Sequence, residues 1–268
     1  MAVAGIIVST IMSTRATSKR SITDFHAHCL PAVDDGARDV AMALAMLTQA
    51  GQQGAETVIA TPHFYWGEDT PESFLHNRQQ ALDRLRPQLD NSLPQVKLGA
   101  EVLVREHVSR LDLRALCIEG TDILLVELPF MRAPYWLLEE LENIALDQRL
   151  TLMLAHLDRY MPWYSKRDLE PLLELPNVIV QLNAESIVDK QTFRSLRKWL
   201  PDCPRLVLGS DMHDLRHRAP ELDKAVREMA HNRTGRLWLE RIDATTGAVW
   251  EPDLSLDLVR YPELEGWI

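Results

Sequence analysis

The 268-residue sequence has few cysteines, no long apolar run and no excess of positive charge. Its three cysteines are too few and too far apart for the disulfide framework of a small secreted protein, so we expect a reducing, cytoplasmic location. No run of 18 or more apolar residues is present, and we therefore expect no transmembrane helix. The net charge of −10 gives no general attraction for nucleic acid or anionic membranes, and neither is an expected partner.

The motifs of several enzyme classes are also missing. The sequence has no GxGxxG or GxxxxGK[ST] loop, no Gly-x-Ser-x-Gly elbow and no Asp-x-Asp pair, and none of its cysteines is followed six positions later by arginine. These absences exclude cysteine-dependent and phosphoaspartate phosphatases, and they argue against a nucleotide-binding open sheet or a serine hydrolase.

Short apolar runs instead alternate with helical patterns along the whole chain. This alternation predicts an α/β fold in which parallel strands are joined by helical crossovers, and seven such units favour a closed or distorted barrel. The predicted strands are Ile22–His26, Thr57–Thr61, Val96–Val102, Ile123–Leu128, Thr151–Ala155, Val178–Leu182 and Leu206–Ser210. The predicted helices cover residues 40–50, 71–85, 135–146, 168–173, 189–199 and 220–229.

The ends of the chain are expected to differ from this regular pattern. We interpret residues 1–20 as a flexible leader and residues 21–268 as a single domain. Within that domain, residues 245–268 are expected to form a C-terminal tail that packs along the barrel.

Nearly every predicted strand ends in a histidine or a carboxylate. Because the carboxyl ends of the strands of a parallel barrel meet at one rim, these side chains should converge there. Five of the nine histidines take part, namely His26, His28, His63, His156 and His213. The other four, His76, His107, His217 and His231, are expected on the surface.

Four carboxylates belong to the same rim: Asp35, Glu101, Glu127 and Asp211. Two bare carboxylates about 4 Å apart repel by roughly 4 kcal/mol at a near-surface dielectric, a serious cost unless cations lie between them. A mixture of imidazole and carboxylate donors suits Mn, Fe or Zn. The sequence therefore predicts a metal centre.

The order of these motifs resembles the polymerase and histidinol phosphatase (PHP) superfamily. The motifs are Asp24-x-His26-x-His28, Asp34-Asp35-Gly36, Thr61-Pro62-His63, Gly99-Ala100-Glu101, Glu127, His156-x-x-Arg159-Tyr160 and Asp211-Met212-His213. Within the superfamily the sequence is most similar to the bacterial manganese-dependent protein-tyrosine phosphatases of capsule and exopolysaccharide synthesis, the CpsB-like enzymes. The resemblance implies a distorted seven-stranded (βα) barrel that holds three divalent metals, with Mn²⁺ expected and Fe or Zn as alternatives.

The resemblance also implies a role for each residue. One metal would be bound by His26, His28, Glu101 and Asp211. Glu101 would bridge to a second metal that is completed by Glu127 and His156, and the third metal would use Asp35, His63 and His213. Arg159 and Arg218 match arginines that bind the substrate phosphate, although Arg216 is a neighbouring candidate. Apart from the resemblance, we expect either Asp211 or His213 to assist the leaving group, and the sequence does not decide between them.

The expected reaction is hydrolysis of phosphotyrosine by a metal-bound hydroxide, with the tail of a bacterial tyrosine autokinase as substrate. Aromatic residues beyond the predicted ligands could line a slot for the tyrosyl ring or simply pack the barrel mouth: Phe64, Tyr65, Trp66, Tyr135, Trp136, Tyr160, Trp163 and Tyr164. Three alternatives remain open. They are a small-molecule PHP phosphatase such as histidinol-phosphatase, an amidohydrolase-type metallohydrolase, and an inactive binding protein on the same scaffold.

Overall fold

The computed structural model describes residues 20–175, 177–200 and 203–250. Within these ranges the chain forms nine short strands. They are β1 (Ile22–Ala27), β2 (Ala55–Ala60), β3 (His63–Phe64), β4 (Gln95–Leu98), β5 (Glu101–Leu103), β6 (Ile123–Glu127), β7 (Thr151–Leu154), β8 (Ile179–Asn183) and β9 (Leu206–Gly209).

Eight α-helices alternate with these strands in the same described ranges. They are α1 (Val40–Gln53), α2 (Pro71–Leu85), α3 (Leu137–Glu142), α4 (Lys166–Leu173), α5 (Ala184–Val188), α6 (Lys190–Trp199), α7 (Leu222–Ala230) and α8 (Arg233–Ala248). None of them combines the length and the apolar character that crossing a membrane requires. The first helix begins after Asp39, whose carboxylate accepts a hydrogen bond from the Met42 N–H, and ends at Gly54 with a φ of 108°.

All strand pairs are parallel, as the alternation of strands and helices predicts. One sheet has the order β1-β2-β4, and the other has the order β3-β5-β6-β7-β8-β9. The first and last strands also approach each other, because Ala27 forms a parallel bridge with Met212 and the Asp211 N–H donates to the His26 carbonyl at 2.7 Å. The chain thus returns to its first strand, which brings both ends of the strand sequence to one place.

Nine strands are found where seven were predicted, because one predicted strand is divided and another is followed, after an interruption, by a short strand that was not predicted. The predicted strand Thr57–Thr61 is observed as β2, and Pro62 separates it from the two-residue β3. A proline has no N–H to donate to a sheet, so pairing stops there. The predicted strand Val96–Val102 divides into β4 and β5 at Gly99, whose N–H donates to the Ala60 carbonyl at 2.8 Å.

These two interruptions begin the second sheet with two residues of the predicted metal centre. His63 and Glu101 are register partners in the β3–β5 pair. The Glu101 N–H also donates to the Pro62 carbonyl at 3.0 Å. The break therefore places an imidazole and a carboxylate side by side.

The helix predictions are confirmed for α1, α2, α4, α6 and α7 to within a few residues. The predicted helix over residues 135–146 is observed as α3 followed by a π-helical turn, Asn143–Asp147. Helices α5 and α8 were not predicted, and α8 includes the first residues of the expected C-terminal tail, which therefore does not begin at residue 245.

The expected leader and most of the expected tail, residues 1–19 and 251–268, lie outside the described residues. Arg20, the last residue of the expected leader, is the one leader residue within the described ranges. Its guanidinium forms an ion pair with Asp243 at 2.6 Å and donates to the Leu239 carbonyl at 3.2 Å, so it is attached to α8.

Among the described residues, the buried apolar side chains form two clusters. The larger one lies where the helices pack on the outside of the strands. The smaller one draws residues from the inner face of six strands: Phe25, Ile59, Ile123, Leu125, Met153, Ile179 and Val207, together with Ala155, Ile118 and Val249. Successive side chains of a strand point to opposite faces, so in a regular strand the residue two positions after an inward-facing one also points to the inner face.

Helix α8 contributes to the larger cluster through Trp238, which is fully buried and packs edge-on against Phe193 at a centroid distance of 5.7 Å. We predict that Trp238→Ala lowers the free energy of unfolding by about 3–5 kcal/mol because it leaves a large cavity. The adjacent Leu237 is 44% exposed, and Leu237→Ala is expected to change it by about 0.5 kcal/mol or less. Urea denaturation of both variants measures the difference, and equal losses would show that α8 is not packed as described.

Candidate metal centre

The inward-facing positions change from apolar to polar towards the carboxyl ends of the strands. In β6, Ile123 and Leu125 belong to the inner cluster, and Glu127 follows two residues later on the same face. The Glu127 side chain is buried. The same alternation that builds the core therefore places a carboxylate at the carboxyl end of β6, on the face of the inner cluster.

A first group of donors comes from β1 and the residues after β9. His26 Nε2 and His28 Nε2 lie 3.1 Å apart. Asp211 Oδ1 lies 3.5 Å from the first of these nitrogens and 3.4 Å from the second. All three side chains are buried, so the contacts form away from solvent.

Glu101 occupies the middle of the cluster and contacts four histidines. Its Oε2 lies 3.1 Å from His26 Nε2, 3.2 Å from His28 Nε2 and 3.0 Å from His63 Nδ1. Its Oε1 lies 2.8 Å from His156 Nε2. Glu101 therefore has the position that the resemblance gives to a bridging carboxylate.

The remaining donors lie on either side of Glu101. Glu127 Oε1 is 3.5 Å from His156 Nε2. On the other side, Asp35 Oδ1 is 3.4 Å from His63 Nε2 and 3.3 Å from His213 Nε2. His28, Asp35, His63 and His213 form one group of donor atoms that lie within 4.8 Å of one another.

The spacing of these atoms matches the geometry of metal coordination. Two donors held about 2.1 Å from one cation at angles near 90–110° lie about 3.0–3.4 Å apart. Within the described residues, five buried side-chain atoms of the cluster have no hydrogen-bond partner: His63 Nδ1, Glu101 Oε2, His156 Nδ1, Asp211 Oδ1 and His213 Nε2. Since buried polar atoms are normally paired, such unsatisfied atoms fit sites for cations.

Three of the imidazoles are oriented by hydrogen bonds of Nδ1, the ring nitrogen that faces away from the cluster. His26 Nδ1 donates to Gln181 Oε1 at 3.0 Å, and His28 Nδ1 donates to Asp34 Oδ2 at 2.7 Å. His213 Nδ1 donates to the Asp211 carbonyl at 2.9 Å. Because each of these partners is an acceptor, the proton belongs on Nδ1, and Nε2 keeps a free lone pair that points into the cluster.

The charges of the cluster depend on one another. Burial disfavours a charged His156, but contacts with Glu101 and Glu127 outweigh it and raise its pKa to about 9. Burial also opposes ionisation of Glu101, yet the nearby His26 and the hydrogen bond from His156 hold its pKa well below the ordinary value. Without cations the carboxylates are thus balanced by protonated imidazoles, and divalent cations can replace those protons.

The two predicted phosphate-binding arginines converge on Asp211. Arg159 Nη2 lies 2.5 Å and Arg218 Nη2 lies 2.8 Å from Asp211 Oδ2, whereas Oδ1 of the same carboxylate faces the histidines. Arg218 lines the cavity above the cluster, and the alternative candidate Arg216 is exposed. The geometry therefore favours Arg218 over Arg216 at this position.

The structure brings together all nine of the predicted metal ligands, which are His26, His28, Asp35, His63, Glu101, Glu127, His156, Asp211 and His213. Eight of them are buried or half-buried, and the Asp35 side chain is 65% exposed. The four histidines expected on the surface, His76, His107, His217 and His231, are all exposed, which confirms that prediction.

Several supporting residues were missed in the sequence. Gln181 Oε1 also accepts from the His156 N–H at 2.8 Å, and its Nε2 donates to Asn183, whose amide donates in turn to Asp211 Oδ2 at 3.2 Å. The sequence does contain an indication of their role, because Gln181 and Asn183 are polar residues at alternate positions of the otherwise apolar strand β8. Asp24, which precedes His26 in its motif, is a further supporting residue. Its carboxylate accepts hydrogen bonds from the Ser210 N–H at 2.7 Å and from the Ser210 hydroxyl at 2.6 Å.

A cavity of about 560 Å³ opens above the cluster. His63, Glu127, Arg159 and Arg218 contribute to its base, and its walls are largely apolar. The walls include Tyr65, Leu103, Val104, Arg105, Pro129, Phe130, Met131 and Trp136. An open cavity with polar groups at its base can hold a phosphorylated side chain against the cluster.

The aromatic residues divide between the two roles considered for them. Phe64, Tyr160 and Tyr164 are buried and pack the fold, and the Tyr164 hydroxyl donates to the Pro129 carbonyl at 3.0 Å. Tyr65 and Trp136 line the cavity. Of the remaining three, Trp66 packs against the larger core cluster, whereas Tyr135 and Trp163 are exposed and do not line the cavity.

We predict that Gln181→Leu weakens metal binding by about 10- to 100-fold, because it removes the acceptor that orients His26 and the His156 backbone. Gln148→Leu is the matched control, since Gln148 is a similarly connected glutamine that contacts residues 109, 111 and 113. Metal content after dialysis against a buffered metal series measures the effect. Unchanged metal retention in Gln181→Leu would contradict this role.

Comparisons with known proteins agree with the geometry. The profile of the family described as capsular polysaccharide synthesis, CpsB/CapC, matches residues 22–246. The tyrosine-protein phosphatase YwqE of Bacillus subtilis (strain 168) is 36% identical over 118 residues, which cover 41% of this chain and 44% of that protein. The tyrosine-protein phosphatase CpsB of Streptococcus agalactiae is 24% identical over 234 residues, which cover 81% of this chain and 95% of that protein.

A solved structure shows the same fold. It comes from the crystal structures of YwqE from Bacillus subtilis and CpsB from Streptococcus pneumoniae, reported as metal-dependent tyrosine phosphatases. It superimposes with a TM-score of 0.67 at 23% identity, covering 84% of this chain and 94% of that chain. The α/β fold with parallel sheets is therefore shared with these proteins. Since the family profile extends over most of its length, the chain belongs to the CpsB/CapC family of capsular polysaccharide synthesis proteins.

Proposed function

We propose that this protein is a metal-dependent protein-tyrosine phosphatase, a phosphoric monoester hydrolase. The observation that carries the proposal is the convergence of nine metal-donor side chains and two arginines next to one open cavity, which is lined by both arginines and by two of the donors, His63 and Glu127. Relatives that align over most of their length are named tyrosine-protein phosphatases. A phosphotyrosine carries about −1.5 to −2 charge at neutral pH, which suits a locally cationic site in an acidic protein.

We propose three divalent cations in this centre, with Mn²⁺ preferred and Fe or Zn as alternatives. The first would be held by His26, His28, Glu101 and Asp211, the second by Glu101, Glu127 and His156, and the third by Asp35, His63 and His213. The donor groups support this assignment, because Glu101 belongs to two of them and Asp35, His63 and His213 lie together in another. Such cations lower the pKa of bound water and neutralise charge on phosphoryl oxygens.

The residues of the chain would orient the substrate for this chemistry. Arg159 and Arg218 are fixed by one oxygen of Asp211, so their remaining N–H groups are available to a phosphate that enters the cavity. Asp211 would therefore act twice, as a metal ligand and as the carboxylate that positions both arginines. Burial and the nearby His28 lower the pKa of His213 to about 4, so His213 fits a neutral ligand better than a proton donor to the leaving group.

The shape of the cavity supports an aryl phosphate as substrate. Phe130 is 43% exposed at the cavity wall, and its ring lies parallel to that of His156 at a centroid distance of 6.0 Å. Trp136 and Tyr65 line other parts of the same wall. A phenyl ring that enters above the cluster would stack on these side chains.

We further propose that the two sheets form one distorted barrel with seven strand positions, in which β2 with β3 and β4 with β5 each fill one position. The inner cluster and the contact between β1 and β9 support this arrangement. Residues 21–268 would then be one domain, preceded by a leader over residues 1–20. The tail of a bacterial tyrosine autokinase as substrate and a cytoplasmic location stay predictions.

The proposal is tested by hydrolysis of a phosphotyrosine peptide, with and without a chelator, compared with hydrolysis of histidinol phosphate. We expect peptide hydrolysis that chelation abolishes and added Mn²⁺ restores. Faster turnover of histidinol phosphate than of the peptide would favour the small-molecule alternative. Chelator-resistant hydrolysis would contradict the metal-dependent proposal.

Single substitutions in the cluster should remove metal and activity together. We expect His28→Ala and Glu101→Ala to lose both bound metal and phosphotyrosine hydrolysis, since each side chain belongs to more than one donor group. His76→Ala is the control, because His76 is an exposed histidine on α2 that contacts Gln80. Elemental analysis and peptide assays on the same preparations provide the measurement, and full turnover by a metal-free variant would refute the assignment.

The aryl wall gives a separate prediction. Phe130→Ala should lower kcat/KM for a phosphotyrosine peptide by about 2- to 10-fold, the range expected for loss of one aromatic contact. The effect on a phosphoserine peptide should be smaller, because its side chain has no ring to stack. Leu146→Ala, at another exposed apolar residue, serves as the control. Equal losses for both peptides would argue against a stacking role.

A further inference from the structure

A third arginine lines the cavity apart from the two that contact Asp211. Arg105 follows β5, and its guanidinium donates to the Trp66 carbonyl at 2.8 Å and to Glu68 Oε1 at 2.7 Å. It also lies 5.5 Å from the centroid of the Tyr65 ring. Three guanidinium groups in one cavity of a protein with a net charge of −10 indicate a local preference for anions.

We propose that Arg105 forms a second anion-binding position, which recognises an acidic group next to the phosphotyrosine in the substrate peptide. The inference rests on the proposed phosphatase function and adds to it a preference for acidic peptides. The anion would be an oxyanion on the same peptide, either the carboxylate of a neighbouring Glu or Asp or the phosphate of a second phosphotyrosine.

The contacts of Arg105 suit it to this role. Two of its five N–H donors are used by Trp66 and Glu68, so others are available to an incoming oxyanion. The Tyr65 ring and the Trp66 carbonyl hold the guanidinium in place, which reduces the entropy lost when an anion binds. The Arg105 side chain is 38% exposed and that of Glu68 is 61% exposed, so solvent and substrate can reach both.

Glu68 is an internal competitor for this position. Its carboxylate makes the same kind of contact with Arg105 that a substrate carboxylate would make. Because Glu68 is exposed, its ion pair with Arg105 contributes little to stability and can be exchanged for another. A substrate anion would therefore bind Arg105 either beside Glu68 or in its place.

The distance along the chain from Glu101, the first residue of β5, to Arg105 fits a neighbouring residue of the substrate. Glu101 and Arg105 are four residues apart, which places their backbones at most about 13 Å from each other. A residue one to three positions from the phosphotyrosine in an extended peptide can cover this separation with its side chain. The cavity volume of about 560 Å³ also exceeds the space that a phosphate group needs and allows part of a peptide to enter.

The test uses the full-length, metal-loaded protein and a set of phosphotyrosine peptides. The peptides differ only at one position within three residues of the phosphotyrosine, which carries Gln, Glu or a second phosphotyrosine. For the wild type we expect kcat/KM to be about 2- to 5-fold higher with an acidic group than with Gln, the range of a partly exposed ion pair. A preference in only one acidic arm supports the proposal and identifies the source of the anion.

Two substitutions should change this preference in opposite directions. Arg105→Gln should reduce the acidic-to-neutral ratio to about one, whereas Glu68→Gln should raise it above the wild-type ratio by removing the competitor. Arg114→Gln is the control, because Arg114 is an exposed arginine that donates to the Gln148 carbonyl, and it should keep the wild-type ratio. A purely structural role of Arg105 would not produce opposite changes in the two variants.

The failure of this inference differs from the failure of the proposed function. If the wild type hydrolyses the peptides at rates that do not depend on the flanking charge, or if Arg105→Gln keeps the wild-type ratio, the second anion position is wrong and the phosphatase stands. If the wild type hydrolyses none of the peptides, the phosphatase proposal itself fails. Metal content and a thermal melt of each variant show whether it is folded.

Discussion

Four carboxylates and five imidazoles crowd the carboxyl ends of the strands, and the mutual repulsion of the carboxylates is the constraint that the surrounding structure has to satisfy. Oxygens of Glu101 and Glu127 lie within 4.8 Å of each other, a distance at which two unit charges repel by about 3–4 kcal/mol at an effective dielectric of about 20. Protons on the imidazoles reduce this repulsion. Divalent cations would reduce it further, and they would also coordinate the buried nitrogen and oxygen atoms that lack hydrogen-bond partners.

The fold meets this constraint through the alternation of side chains in short parallel strands. The inner face of β6 and β8 is apolar at its start and polar at its end, so one register supplies both the core and the site. The backbone of β9 packs closely against the side chains of Gln181 and His26. A Cβ atom on Gly209 would lie 2.6 Å from Gln181 Nε2 and 2.7 Å from His26 Cβ, so only glycine lets β9 approach so closely.

Much of this arrangement could be predicted from the sequence, because strand ends and donor residues coincide in it. The order of strands and helices and the convergence of residues such as His26, Glu127 and Asp211 follow from local patterns. The short strand β3 and the division of the predicted strand at Gly99 do not, because they depend on how Pro62 and Gly99 meet their neighbours in space. Helix α8 was missed because no strong periodic signal precedes the expected tail.

The finer parts of the site were harder to predict for a similar reason. The role of Gln181 can be recognised only from the structure, which places His26 and the His156 backbone beside its side chain. The choice between Arg216 and Arg218 likewise depends on the path of the loop after Asp211. The cavity wall contains Phe130, which no aromatic pattern had indicated, because its position is set by the Tyr160 and His156 rings that it packs against.

The most direct test is anomalous diffraction from crystals of the active protein grown with Mn²⁺. The account predicts three anomalous peaks at the carboxyl ends of the strands, with two of them at coordination distance from Glu101. A protein that hydrolyses phosphotyrosine but shows no anomalous peak within coordination distance of Glu101 would contradict it.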